Sequence, residues 1–138
     1  MIAPGRTIGI LGGGQLGRML ASAANQLGFD VHIFCPETDS PASRGARKTW
    51  NADYLDADAM REFAKSCDVV TLEFENIPVE ATDLIASCGV ALHPGPRSLA
   101  ISQDRAEEKA FLNRIGIPTA PYEVIESAAD IPPALKRV

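Results

Sequence analysis

Thr7-Ile8-Gly9-Ile10-Leu11-Gly12-Gly13-Gly14-Gln15-Leu16-Gly17-Arg18-Met19-Leu20 is the stretch on which the fold of this chain turns. Its first five residues form an apolar run of the kind that makes a buried strand. Three glycines follow. From Gln15 onward, apolar residues recur at Leu16, Met19, Leu20, Ala23 and Leu27, the spacing of one face of a helix that ends at Gly28. A strand, a glycine turn and a helix leave backbone N–H groups directed outward at a helix N-terminus, where the dipole favours an anion. The spacing Gly12-x-Gly14-x-x-Gly17 also matches the dinucleotide fingerprint. The bland alternative is that the glycines serve tight packing alone.

Outward from this stretch, strand and helix patterns alternate. Val31 to Cys35 reads as a second strand, stopped by Pro36 and followed by a polar loop. Lys48-Thr49-Trp50 reads as a short third strand. Asp56 or Asp58 caps a helix over roughly 57–66, with Met60, Phe63 and Ala64 on its inner face. Asp68 to Phe74 is the next strand, with the continuous apolar start of a buried parallel strand. Pro78 suits the first turn of a helix running to about Ser87, with Gly89 after it. Val90 to His93 is a last short strand. This alternation predicts an α/β fold, a Rossmann-like, doubly wound parallel sheet with the glycine turn and the Glu73 turn on one edge. Beyond Pro96 the character changes. Asp104 starts a helix that Gly116 stops, prolines punctuate the segment after it, and Tyr122-Glu123-Val124-Ile125 reads as a strand of a further domain. The boundary is placed between residues 95 and 118, giving units 1–100 and 101–138. Pro132 onward opens a helix with no stop signal, so the expectation is the front part of a longer protein.

The chain has 138 residues, 46% hydrophobic and 22% charged, with a net charge of -5. That composition supports about one domain with a full core and argues against a nucleic-acid partner, which needs a basic face. No run of ~18 apolar residues spans a membrane, and no secretory h-region is visible. The three cysteines are widely spaced without a C-x-x-C, which fits a reducing, cytoplasmic compartment and no zinc site.

Four groups of residues carry candidate chemistry. The turn offers Gly14 and, at the helix start, Gln15 as a ligand hydrogen-bonding group; Arg18 is read as solvated. A nicotinamide cofactor needs an acid at the end of the second strand for its ribose. The nearest is Glu37, which Pro36 and the loop displace. Glu73-Phe74-Glu75-Asn76 ends a buried strand, where period-2 spacing directs two carboxylates to one side. Such a pair calls for a cation, an amine or a diol. For Glu75 and Asn76 the alternative is capping of the next helix. Arg105 stands in a helix first turn, against the dipole, which points to an acid or a phosphate partner. His32, His93, Trp50 and the phenylalanines read as strand and core residues, and the cysteines as inert.

Three segments together resemble one enzyme family. Gly12-Gly13-Gly14-Gln15-Leu16-Gly17-Arg18-Met19-Leu20, Asp68 to Asn76, and Gln103-Asp104-Arg105 with Lys109, Phe111-Leu112 and Gly116 to Pro121 are similar to the 5-(carboxyamino)imidazole ribonucleotide synthases of the ATP-grasp superfamily. The resemblance implies a pre-ATP-grasp domain followed by the start of an ATP-grasp domain. It implies a ligase of purine biosynthesis that phosphorylates bicarbonate with Mg-ATP and carboxylates the amine of 5-aminoimidazole ribonucleotide. Gly14, Gln15, Leu16, Glu73 and Asn76 would line the aminoimidazole ribonucleotide site, and Arg105 would meet an ATP phosphate. The Mg2+ ligands, the ATP-grasp lysines and the substrate-phosphate cations would lie beyond residue 138, so the chain alone is expected to be inactive. A homodimer is also implied. The alternative function is a nicotinamide dinucleotide-binding module of an oxidoreductase.

Overall fold

The computed structural model describes residues 2–138. Five strands form one parallel sheet in the order β3-β2-β1-β4-β5. They are β1 (Thr7–Leu11), β2 (Asp30–Cys35), β3 (Lys48–Asn51), β4 (Val69–Leu72) and β5 (Ala91–Leu92). Between them run α1 (Gln15–Gln26), α2 (Ala57–Lys65) and α3 (Val79–Ser87). The central strand is β1, with Ile8 opposite Val31 on one side and Val69 on the other. The chain winds outward from β1 through β2 to β3, then returns across β1 to β4 and β5. The strand order therefore reverses between β1 and β4, and ligands in such folds bind at the carboxyl ends of strands at this reversal.

Alternation along the strands builds a core on each face. Ile10 of β1 and Val31, Ile33 and Cys35 of β2 pack with Ala21 and Ala24 of α1. Leu11 and Phe34 point to the other face, where Met60, Phe63 and Ala64 of α2 and Ala81 and Ile85 of α3 cover them. The Phe63 ring meets the edges of Phe34 and Trp50, each at 5.4 Å between centroids. Gly9 leaves the space for this ring: a Cβ there would lie 2.8 Å from it. α1 stops at Gly28, which takes φ of +83°. Asp56, not Asp58, caps α2, accepting the Ala59 N–H at 3.1 Å, while Asp58 pairs with Arg61 on the surface.

The chain forms two compact units, the first ending at Ala100 and the second covering Ile101–Val138. Several expectations need correction. A helix absent from the sequence reading, α4 (Pro96–Gln103), follows β5, and its Leu99 is buried in the first unit's core. β4 ends at Leu72, so Glu73 lies just past the strand and Glu75 and Asn76 lie in a turn. The two carboxylates therefore do not share strand periodicity. Neither Glu75 nor Asn76 occupies the N-cap of α3, which is Pro78. In the second unit, α5 (Arg105–Arg114) begins at Asp104, whose carboxylate accepts the Ala106 and Glu107 N–H groups at 2.8 and 3.0 Å. Tyr122 to Ile125 forms no strand. A short helix, α6 (Ile131–Ala134), follows a 3-10 turn capped by the Ser127–Asp130 box, and Arg137 holds Glu123 through two bonds.

Candidate functional site

A cavity of about 350 Å³ opens at the carboxyl ends of the strands, where the sheet order reverses. Its floor is the glycine turn. Gly13 and Gly14 line it from the end of β1, Glu73 and Phe74 from the end of β4, Glu37, Ser40 and Pro41 from the loop after β2, and Tyr54 from the loop after β3. Residues from four strand ends thus share one space, because a parallel sheet brings all its strand–helix loops to one edge.

The turn is shaped around a side chain of the protein itself. Gly14 donates its N–H to Oε2 of Glu73 at 2.9 Å. A Cβ on Gly12 would lie 2.5 Å from that same oxygen and 2.6 Å from Cβ of Glu73. One on Gly17 would lie 2.7 Å from the oxygen, and one on Gly14 would collide with Oε1. Gly12 also holds φ of +117°, which residues with a side chain rarely adopt. The three fingerprint glycines therefore make room for the Glu73 carboxylate. Gly13, outside the fingerprint, does the same for the other wall: a Cβ there would lie 2.6 Å from Sγ of Cys35 and 2.7 Å from Cβ of Ser40. The Ala42 N–H then closes the loop onto the Gly13 carbonyl at 3.0 Å.

This seating takes away what the nicotinamide reading needs. The Gly14 donor is engaged by a carboxylate, and a pyrophosphate brought to the same place would meet that negative charge. The expectation that the turn offers its N–H groups to a ligand is corrected at Gly14 for the same reason. What the cavity presents instead is acceptors and neutral hydroxyls. Two carboxylates and the Ser40 and Tyr54 hydroxyls line it, and among the described residues no lysine or arginine does. Burial, and then the charge of Glu37, push the Tyr54 phenol far up, so it stays a neutral donor.

Of the residues singled out from sequence, the structure brings Gly14 and Glu73 together. Gln15 and Leu16 follow at the start of α1 with exposed side chains, and Asn76 is exposed in its turn. Glu37, discounted as displaced, lines the cavity. Ser40, Pro41 and Tyr54 carried no signal by spacing or type. In the second unit, Arg105 lies with Lys109 and Tyr122 around a cavity of about 240 Å³. The acid that its position called for is Glu108, one turn along α5, and Nζ of Lys109 sits 4.9 Å over the Tyr122 ring. His32 and Cys67 lie together. His32 bonds Ser66 at 2.9 Å, and burial lowers its pKa. Cys67, 4.0 Å from that ring, is pushed by burial up to about 11.

The ribonucleotide synthetase preATP-grasp domain matches residues 5–103, the sheet and every loop that builds the cavity. The chain belongs to this family. Its preATP-grasp fold extends to solved structures at high similarity. N5-carboxyaminoimidazole synthetase of Staphylococcus aureus, complexed with ADP, superposes with a TM-score of 0.90 at 34% identity, over 99% of this chain and 36% of that one. The synthase of Aspergillus clavatus, in complex with ADP and 5-aminoimidazole ribonucleotide, gives 0.80 at 33% identity, over 96% and 36%. Among curated relatives, the N5-carboxyaminoimidazole ribonucleotide synthase of Brucella melitensis is 47% identical over 134 residues, 97% of this chain and 37% of the relative. A bifunctional purine synthesis protein of Dictyostelium discoideum is 47% identical over the whole chain, which spans 14% of it. This preATP-grasp chain thus spans about a third or less of these relatives.

Proposed function

We propose that this chain is the N-terminal portion of a ligase that uses ATP and bicarbonate to carboxylate the amine of 5-aminoimidazole ribonucleotide. The products are 5-(carboxyamino)imidazole ribonucleotide, ADP and phosphate, in purine biosynthesis. The observation that carries the reading is the Glu73 carboxylate, held in the glycine turn by Gly14 with its second oxygen left for a ligand donor. An aminoimidazole amine is such a donor. Holding one N–H of the amine directs its lone pair at the incoming carboxyl carbon, a positioning contribution to the rate. Gly14, with Gln15 and Leu16 after the glycine turn and Asn76 in the turn after Glu73, completes the proposed substrate-binding set.

Among the described residues no basic side chain lines the cavity, which supports a division of the substrate. The base and ribose enter here, and the phosphate is held by cations outside the cavity. Arg105 is proposed to meet an ATP phosphate, for which it would leave Glu108. In this reading the first unit is the pre-ATP-grasp domain and the second the beginning of the ATP-grasp domain. Among the described residues, no group of three or more His, Cys, Asp or Glu side chains is placed to hold a metal ion. The Mg2+ that accompanies ATP belongs to the same reading, with its ligands proposed to lie outside this chain. No helix among the described residues is long and apolar enough to cross a membrane. All three cysteines are free, which fits a cytoplasmic enzyme; a homodimer is part of the same reading.

The test is a chimera in which residues of this chain replace the matching 134-residue segment of the Brucella melitensis relative. It is expected to release phosphate from ATP only when bicarbonate and 5-aminoimidazole ribonucleotide are both present. Glu73→Gln is expected to reduce kcat/KM by about 100-fold, the scale of a lost charge-assisted contact to the reacting group. A folded chimera without substrate-dependent phosphate release, or an unimpaired Glu73→Gln variant, sinks the proposal.

A further inference from the structure

The apolar stripe that marks α1 in the sequence is not the face that α1 buries. Gly17, Ala21 and Ala24 turn to the sheet, and all three are small. Leu16, Leu20, Ala23 and Leu27 lie about a quarter-turn away around the helix and are exposed, Leu16 to 58% and Leu27 to 68%. Met19 beside them is 66% exposed. On the opposite flank Arg18, Ser22 and Asn25 line a groove with Arg44 and Gly45, from the 3-10 turn after β2. Arg18 is the one charged residue of α1, so the stripe itself carries no charge.

With the Arg18 flank turned to the side of β2, the stripe looks the other way, toward β4. α1 rests on β1 and β2, and α2, α3 and α4 serve the core on the other face of the sheet. On the face of α1, Val69 and Thr71 of β4 are half-buried, and Ala91, the partner of Val69 in β5, is exposed. Among the described residues of the first unit, no helix lies over β4 and β5 on this face. The bare ledge is two strand spacings from the seat of α1. That is about 9–10 Å, the distance between the axes of two packed helices. Stripe and ledge together form a slot for one more helix.

The spacing of the stripe names the occupant. Leu16, Leu20, Ala23 and Leu27 stand four, three and four residues apart, a heptad seam that reads the same in both directions. A two-fold axis across the helix sets Leu16 against Leu27 of a second copy and Leu20 against its Ala23, large against small. A parallel pair would instead set alanine on alanine and align the two helix dipoles. Four side chains alone cover less than the ~800 Å² per partner of a standard interface. The ledge adds to them, because Met19 and Gln26 of the second copy, opposite its own buried face, come down on β4 and β5.

We propose that the α1 stripe and the β4–β5 ledge form the interface of a two-fold homodimer, with the two α1 helices antiparallel and side by side between the sheets. This assignment does not depend on the ligase reading.

In sedimentation velocity at micromolar concentration, the 138-residue chain is expected to run as a dimer. Leu20→Glu, which sets a charge in the seam, should run as a monomer with unchanged far-UV circular dichroism. The register is read by disulfide trapping. A mixture of Leu16→Cys and Leu27→Cys chains should link under mild oxidation above the background from the three native cysteines. Neither variant should link alone, because like positions lie about 16 Å apart in the antiparallel pair, far beyond disulfide reach. The same mixed pair should link in the chimera. A monomeric unaltered chain, a dimeric Leu20→Glu variant or linking of like with like overturns the proposal. So does loss of the mixed link in the chimera, which would give the slot to the later residues of the relative. If Leu20→Glu fails to fold, the trapping experiment decides alone.

Discussion

Glu73 imposes three glycines on the turn that faces it, and their substitutions should separate by what each would strike. A Cβ on Gly12 meets Cβ of Glu73, close to its main chain, and stands at a positive φ as well. A Cβ on Gly14 meets only the far end of that side chain, at an ordinary backbone angle. Gly12→Ala is therefore expected to lower the unfolding free energy by about 3 kcal/mol, from strain and overpacking together. Gly14→Ala should lower it by about 1–2 kcal/mol, the worth of the displaced charge-assisted bond. In a Glu73→Ala background the Gly14→Ala cost should nearly vanish, because its collision partner is gone. Urea denaturation of the four proteins of this cycle measures the coupling, and strict additivity would contradict a turn built around Glu73. At this scale the glycines were legible in the sequence, but their reason was not. The fingerprint says that side chains are excluded; it does not say whether a phosphate or a carboxylate of the same chain excludes them.

Element boundaries followed local rules wherever a cap or a glycine marked them. Asp56 and Asp58 were equivalent candidates from composition, and backbone geometry separates them. Asp56 is extended, with φ of -69° and ψ of 96°, and its carboxylate takes a main-chain donor. Asp58 is already inside the helix. Asp56→Ala is expected to destabilise the fold by about 1 kcal/mol, the usual loss of an N-cap. Asp58→Ala should stay within about 0.5 kcal/mol, since an exposed pair with Arg61 is worth little. Chemical denaturation of both variants checks this, and equal losses would mean that Asp56 is no cap. Where no such marker exists, the reading from sequence missed. α4 carries only one buried residue, Leu99, so it shows no apolar stripe. The apolar run at Tyr122 to Ile125 has strand composition, but a strand needs a neighbour to bond, and among the described residues none pairs with it.

For the molecule as a whole, the cavity supplies acceptors and hydroxyls but no cation, and no metal-holding cluster exists among the described residues. Phosphoryl transfer depends on cations that neutralise the charge developing on the phosphate oxygens. The 138-residue chain spans about a third or less of its relatives, so by itself it is expected to show no ATP turnover with bicarbonate and 5-aminoimidazole ribonucleotide in a phosphate-release assay; release that depends on both would refute this. The sequence alone determined the alternation of strands and helices from β1 to β5 and the parallel sheet. These arise from local periodicity, glycine stops and caps, and from the chirality of the crossovers. Only the tertiary structure decided how the cavity is walled. Gly14 and Glu73 are 59 residues apart, and Asn51 and Glu37 are 14 apart. No local pattern records such meetings, because they depend on which strand ends the sheet sets side by side.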